Sequence, residues 1–309
     1  MKKLVECVPN ISEGRDLDII NALAEVVQRV ENVVLLDRHC DIDHHRSVFT
    51  IVGIPEAVLN VVYQLTRHAM KLIDLSKHEG VHPRVGVVDV VPFIPLEGVT
   101  MAECITLAQC LGKKIGEELT IPVFLYAQAS PLNPPRSLEV IRRGGWSGLS
   151  ERMEKEGEWR PDFGPQNLHA TAGAVSVGAR DFLIAYNVLL QSNDLSIAQA
   201  IAKSIRTSGG GLLSLKAMGV ALPSRGVVQV SMNLTNYQET SLYDAYCAVQ
   251  EGAERYGVGI EESELVGLAP QAAIPPEYIK TLKFRNWNPD QILETRLVQT
   301  GFKYFPLFS

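Results

Sequence analysis

The chain has 309 residues, 46% of them hydrophobic, which is enough apolar material for one large or two medium domains. Its 29 Lys and Arg against 35 Asp and Glu leave a net charge of −6, which argues against nonspecific nucleic-acid binding but not against a locally recognised anion. No stretch of about 18 apolar residues occurs, the first ten residues do not form a signal peptide, and the five cysteines contain no CxxC pair. The expectation is a cytoplasmic protein with reduced thiols and no membrane partner.

Residues 4–8 form a short β-prone run, after which Ile19, Ile20, Leu23, Val26, Val27 and Val30 recur at helical spacing. Two apolar, β-branched runs at 33–36 and 47–52 flank a polar, His-rich segment, read as a loop between strands. Pro55 suits a first helical turn, and Val58, Val61, Val62, Leu65, Ala69, Leu72 and Ile73 continue that helix on one face. Residues 85–91 are again strand-like, so the order is β, α, β, β, α, β, the pattern of a ferredoxin-like unit. A further helix opens with the capping box of Thr100 and Glu103, and a strand follows at 123–126.

Residues 133–165 are rich in Pro, Gly, Arg and Glu, with a short helical stretch around 136–142, and read as a junction. Beyond it, 182–190, 212–222, 226–234 and 264–268 read as strands, and 194–205 and 241–256 as helices. The same six-element order thus appears twice. The expected fold is α/β (α+β), two ferredoxin-like subdomains at 1–178 and 179–309, with a weakly helical tail over 275–309.

Three motifs carry possible chemistry. His78-Glu79-Gly80-Val81-His82 matches the H-E-x-x-H zinc pattern, but Gly80 between the histidines and Pro83 after the second oppose the helix that such a site needs. His39, Asp41, Asp43, His44 and His45 place five potential ligands in seven residues, the basis of a metal-dependent hydrolase reading. No companion Asp-x-Asp cluster stands at the N-terminal strand, so a polar loop that touches substrate is the alternative. Asp162-Phe163-Gly164-Pro165, Gly173-Ala174 and Gly178-Ala179-Arg180 would let backbone approach a planar ligand, or simply form an interdomain turn.

Taken together, residues 6–14 (Glu-Cys-Val-Pro-Asn-Ile-Ser-Glu-Gly), 74–86 (Asp-Leu-Ser-Lys-His-Glu-Gly-Val-His-Pro-Arg-Val-Gly), Asp89 with 92–95 (Pro-Phe-Ile-Pro), and 162–165 through 178–180 closely resemble the formiminotransferase domain family. The resemblance spans roughly residues 4–270. It implies two ferredoxin-like subdomains around a central ligand tunnel, a homodimer, and transfer of a formimidoyl group from N-formimidoyl-L-glutamate to tetrahydrofolate as co-substrate, in histidine degradation.

The family's catalytic histidine falls on His82. Its folate-binding stretch falls on Gly164, Pro165 and Gly173, with His169, Thr171 and Arg180 as further candidates along it. Arg46, Lys77 and Arg84 are the candidates for the substrate carboxylates, with no metal required. One departure is His39, where family members often carry an acid; Asp41 or Asp43 is the substitute. Larger relatives carry a cyclodeaminase domain, so ammonia release is expected from a separate cyclodeaminase. Formyl transfer between 5-formyltetrahydrofolate and glutamate, and a non-catalytic folate-binding module, are the other readings. In the expected mechanism one imidazole takes the proton from N5 of the folate and gives one to the departing amine, its ordinary pKa near 6.5 keeping both forms populated.

Overall fold

The computed structural model describes residues 3–155 and 159–301, and these form two compact units, Met1–Arg180 and Asp181–Ser309. Residues 302–309 of the expected helical tail, and 156–158 of the expected junction, lie outside the described residues.

The first unit runs β1 (Val5–Cys7), β2 (Asn10–Ile11), α1 (Leu17–Gln28), β3 (Val33–Asp41), β4 (Arg46–Gly53), α2 (Pro55–Leu72), β5 (Val88–Pro95), α3 (Met101–Glu118), β6 (Val123–Ala127), α4 (Leu138–Arg142), α5 (Gly145–Glu154) and β7 (Val175–Ala179). Strands β1 and β2 are two pieces of one line, each pairing antiparallel with both β4 and β5, while β3 pairs on the outer side of β4. That is the ferredoxin-like order. The sheet is then widened by β7, parallel to β5, and by β6, parallel to β7.

Alternation along the strands decides which face each residue takes. Val5, Cys7, Phe49, Ile51, Val91, Phe93, Val123, Leu125, Val175 and Val177 join one core with the apolar stripes of α1, α2 and α3. On the opposite face Val90, Phe124, Tyr126 and Ala174 pack with Ile141 of α4 and Leu149 and Met153 of α5.

The second unit repeats the order: β8 (Ile184–Leu190), α6 (Leu195–Ile205), β9 (Leu215–Leu222), β10 (Val227–Leu234), α7 (Leu242–Arg255) and β11 (Ile260–Val266). Its sheet is β11-β8-β10-β9, antiparallel throughout, with a core built on α6 and α7. The short helix α8 (Leu293–Gln299) follows. Both units carry the doubled pattern that the sequence predicts. No helix among the described residues is long and apolar enough to cross a membrane.

Several local expectations are corrected. The His-rich segment is not a long loop: β3 continues through His39 and Asp41, and only four residues separate it from β4. An outer strand paired on one side tolerates such polar residues. Strand β5 begins at Val88 rather than at Val85, because Gly86 pairs instead with Gly173. The glycine-rich segment ending at Arg180 contains β7, whose residues cross the expected boundary at 178.

Helix ends follow their caps. The Asp16 carboxylate accepts from the N–H groups of Asp18 and Ile19, and the Thr100–Glu103 capping box is fully formed at α3. Thr100→Ala is expected to lower stability by about 1 kcal/mol, read as a shift in the urea midpoint without loss of turnover.

Candidate active site

A single edge of the first sheet, where β5 and β7 begin, collects the residues that carry chemistry. The 42–45 turn between β3 and β4 is folded by Asp41, whose Oδ1 accepts from His44 N–H at 2.7 Å. His45 takes a left-handed backbone, φ 48°. Its ring then faces two oxygens, Nδ1 donating to Glu79 O at 2.9 Å and Nε2 facing Glu13 Oε1 at 3.0 Å. The same Glu13 oxygen accepts from the N–H groups of Gly14, Arg15 and Asp16. Burial pushes the Glu13 carboxyl up, but the N–H groups of Asp16 and Arg15 and the His45 ring outweigh it, and the net shift is downward. One carboxylate therefore ties the start of α1 to the His-rich turn, and the turn to the 78–84 loop.

That loop is not helical. His78 ends a single 3-10 turn, Leu75–Lys77, with φ −89° and ψ 125°, so His78 and His82 do not share a helix face and the H-E-x-x-H geometry is absent. Arg84 holds the loop shut. Its Nε and Nη2 donate to His82 O at 3.1 and 2.7 Å, Nη2 also to His44 O at 2.9 Å and Nη1 to His45 O at 3.3 Å. The His78 ring stacks on His45 with centroids 3.8 Å apart, lies against His45 O through Nε2, and has Arg84 Nη1 beside both of its nitrogens.

His82 sits at the centre. Its Nδ1 donates to Pro83 O at 2.8 Å, which leaves Nε2 as the acceptor for Arg46 Nη1 at 2.9 Å. The ring is therefore the neutral Nδ1–H tautomer. It retains some solvent contact at its rim although protein atoms surround it. Burial, then the guanidiniums of Arg46 and Arg142, the nearby His44 ring and Arg84 hold its pKa well below the ordinary value. This corrects the expectation of an imidazole balanced between both forms: in this arrangement it is deprotonated.

Arg142 was not among the sequence candidates. Its Nε donates to Asp89 Oδ2 at 2.7 Å, with Nη2 on the same oxygen, while Asp89 Oδ1 accepts from Val85 N–H at 2.7 Å. Asp89 is 2% exposed. The register between β2 and β5 slips at this point, Asn10 opposing Val90 and Ile11 opposing Val88, so Asp89 is the extra residue of a bulge that aims it at Arg142. Arg46, Arg84 and Arg142 against Asp89 and Asp41 leave a positive surplus around His82. Such a place attracts carboxylates.

The other candidates distribute unevenly. Lys77 points outward, its side chain 82% exposed and paired with Asp74 at 3.3 Å. Gly173 has φ 72°, and a Cβ there would lie 2.1 Å from Val85 O. The 169–173 turn is folded by the His169 ring, whose Nδ1 accepts from Thr171 and Ala172 N–H. It joins both ends of the His82 loop, through Leu75 N–H to Thr171 O and Ala174 N–H to Val85 O. Gly164, φ 84°, is instead needed where the backbone crosses Ile121 O and Gly116 under α3, and Pro165 beside it is exposed. Asp162 anchors that crossing, accepting from Leu125 N–H and pairing with Arg136. Those residues sit at the start of β6, two strand spacings or roughly 10 Å from β5. Arg180 follows β7, its N–H on Phe93 O, and its charge lies near buried Glu6, whose carboxyl burial pushes up to about 7 against the pull of Arg180.

The histidines also set an acid limit. Burial lowers His44 and His78 to about 4 in the fold, so the unfolded chain takes up protons that the folded one refuses between about pH 6.5 and pH 4. The urea midpoint is expected to be highest above pH 6.5 and to fall across that window; a midpoint that is flat from pH 7 to pH 4.5 refutes this.

A ring neutral at its acceptor nitrogen, enclosed by guanidiniums on a ferredoxin-like α/β frame, has the groups that acid–base work on an anionic reactant requires. Residues 4–180 match the N-terminal subdomain of the formiminotransferase domain and residues 185–284 match the formiminotransferase domain proper. The chain is 40% identical over 300 residues to a glutamate formimidoyltransferase of Streptococcus pyogenes serotype M1, covering 96% of this chain and 100% of that protein. It is 43% identical over 296 residues to one of Thermoplasma acidophilum, covering 95% and 97%. A formimidoyltransferase-cyclodeaminase of Dictyostelium discoideum is 42% identical over 280 residues, 89% of this chain and 52% of that longer protein. The chain belongs to the formiminotransferase domain family.

Proposed function

We propose that this chain is a glutamate formimidoyltransferase, moving the formimidoyl group of N-formimidoyl-L-glutamate to N5 of tetrahydrofolate and releasing glutamate. Near-complete alignment with relatives of that name supports the reaction, and the observation that carries the chemistry is His82, with one nitrogen fixed to Pro83 O and the other presented as an acceptor.

N5 attacks the formimidoyl carbon, and the N5–C bond forms. His82 Nε2 takes the proton from N5 and passes one to the nitrogen of glutamate as the old C–N bond breaks, so no proton is gained or lost overall. Pro83 stiffens the backbone that presents the ring. Arg46 is the first choice for a substrate carboxylate. Arg84, already committed to three carbonyls and the His78 ring, acts on loop shape, and Lys77 takes no part. The 169–173 turn, with Thr171, His169 and Gly173, contributes to the folate side through its contact with the His82 loop, and Gly164, Pro165 and Arg180 border it.

In this reading the enzyme is a cytoplasmic homodimer whose product passes to a cyclodeaminase. No step draws on a metal. The test is turnover with each pairing of a formimidoyl or formyl donor with glutamate or glycine as the leaving amino acid, after treatment with a chelator. Rapid turnover of formimidoylglutamate alone is expected; activity abolished by chelation and restored by zinc refutes the scheme.

A further inference from the structure

The acceptor nitrogen of His82 is not open to a substrate as it stands, since a hydrogen-bond donor of Arg46 already occupies it at 2.9 Å. Each neighbouring cation has a different standing. Arg84 spends its donors on the carbonyls of His44, His45 and His82, and Arg142 is held by Asp89 through Nε and Nη2. Arg46 is different: among the described residues its side chain donates to His82 and to nothing else, so Nε and Nη2 remain for a ligand.

We propose that Arg46 serves two partners in turn, capping His82 at first and taking a carboxylate of the glutamyl substrate when it arrives, so that the base is uncovered only once the donor is bound. The idea rests on His82 being the proton-transfer residue. A carboxylate receives a guanidinium in two parallel bonds between opposite charges, where the neutral ring nitrogen takes a single bond and carries no charge, so the exchange runs downhill. It also changes the field at the ring. His82 faces Arg46 and His44 from the β3–β4 hairpin, Arg84 from its own loop and Arg142 from α4, with Asp89 and Asp41 as the acids near Arg46. With substrate bound, an anion joins them and Arg46 is neutralised, which raises the proton affinity of Nε2 when N5 has a proton to lose.

Arg46 is thus assigned both substrate recognition and the timing of base release. The experiment is nitrogen NMR of the full chain labelled at histidine, with the His82 signal identified by its loss in His82→Gln, and with glutamate as the probe. Without ligand the ring should remain the neutral Nδ1–H tautomer through the neutral range. Saturating glutamate should move its titration upward by about one pH unit or more. In Arg46→Met the ring should titrate higher with no ligand, glutamate should add nothing, and KM for formimidoylglutamate should rise on the order of 10²-fold while KM for tetrahydrofolate holds.

Glutamate leaving the wild-type titration in place, or moving it equally in Arg46→Met, overturns the proposal, and the wild-type arm decides even where the variant folds poorly. The two readings fail separately. Wild-type turnover by His82→Gln removes the acid–base role itself and the proposal with it; an inactive His82→Gln beside a glutamate-insensitive ring removes only the exchange.

Discussion

Replacing His82 with alanine is expected to lower turnover by about 10²- to 10⁴-fold, the range that a positioned acid–base group contributes, while the melting temperature and tetrahydrofolate affinity change little. The ring makes two hydrogen bonds, to Pro83 O and Arg46, and lies outside the buried apolar clusters, so its removal leaves the sheet and the helices behind it untouched. Steady-state kinetics with both substrates, beside a binding measurement for the folate, reads the result. A variant that binds folate and turns over normally ends the assignment.

The largest expected effect on stability is at Asp89. Alanine there leaves Arg142 inside the protein without its counter-charge and strips Val85 N–H of its acceptor. Breaking one side of a buried pair typically costs about 3–5 kcal/mol, and Asp89 at 2% exposed and Arg142 at 12% meet that description. Chemical denaturation of Asp89→Ala measures it. Asp89→Asn, which keeps an oxygen for Val85 N–H, should lose less. Equal losses in the two variants point to the charge rather than the hydrogen bond.

Periodicity carries the fold where each element is locally self-consistent. Helices α1, α2, α6 and α7 each have an apolar stripe and a terminal signal, and the doubled β, α, β, β, α, β order followed from them. Strand β7 escapes because Gly178 sits within it and Gly173 lies just before it; its pairing with β5 and β6 comes from distant partners that no local pattern records. His39 and Asp41 hide the second half of β3 for a related reason, since polar residues mask a strand pattern and are tolerated there because β3 pairs along one side with β4.

The site divides along the same line. His82 and the residues near it lie in motifs long enough to be read, and Arg46 was named for its chemistry. Arg142 stands in a segment with no signal beyond an Arg-Arg pair, and only the bulge at Asp89 gives it a task. The suppressed proton affinity of His82 has no sequence signature, because it is made first by burial and then by cations from positions 46, 142 and 84, brought together by the fold.

The lateness of β7 in the chain bears on how the enzyme is made. As residues leave the ribosome, the six-element core through Pro95 is finished about eighty residues before Val175–Ala179 emerges to cover the flank of β5. Until then that Val- and Phe-bearing strand presents unsatisfied amides to its surroundings, an invitation to another nascent chain. The His82 loop likewise waits, for Leu75 and Val85 find Thr171 and Ala174 only when the last strand slots in. Chaperone demand during synthesis should therefore peak in the interval between β5 and β7.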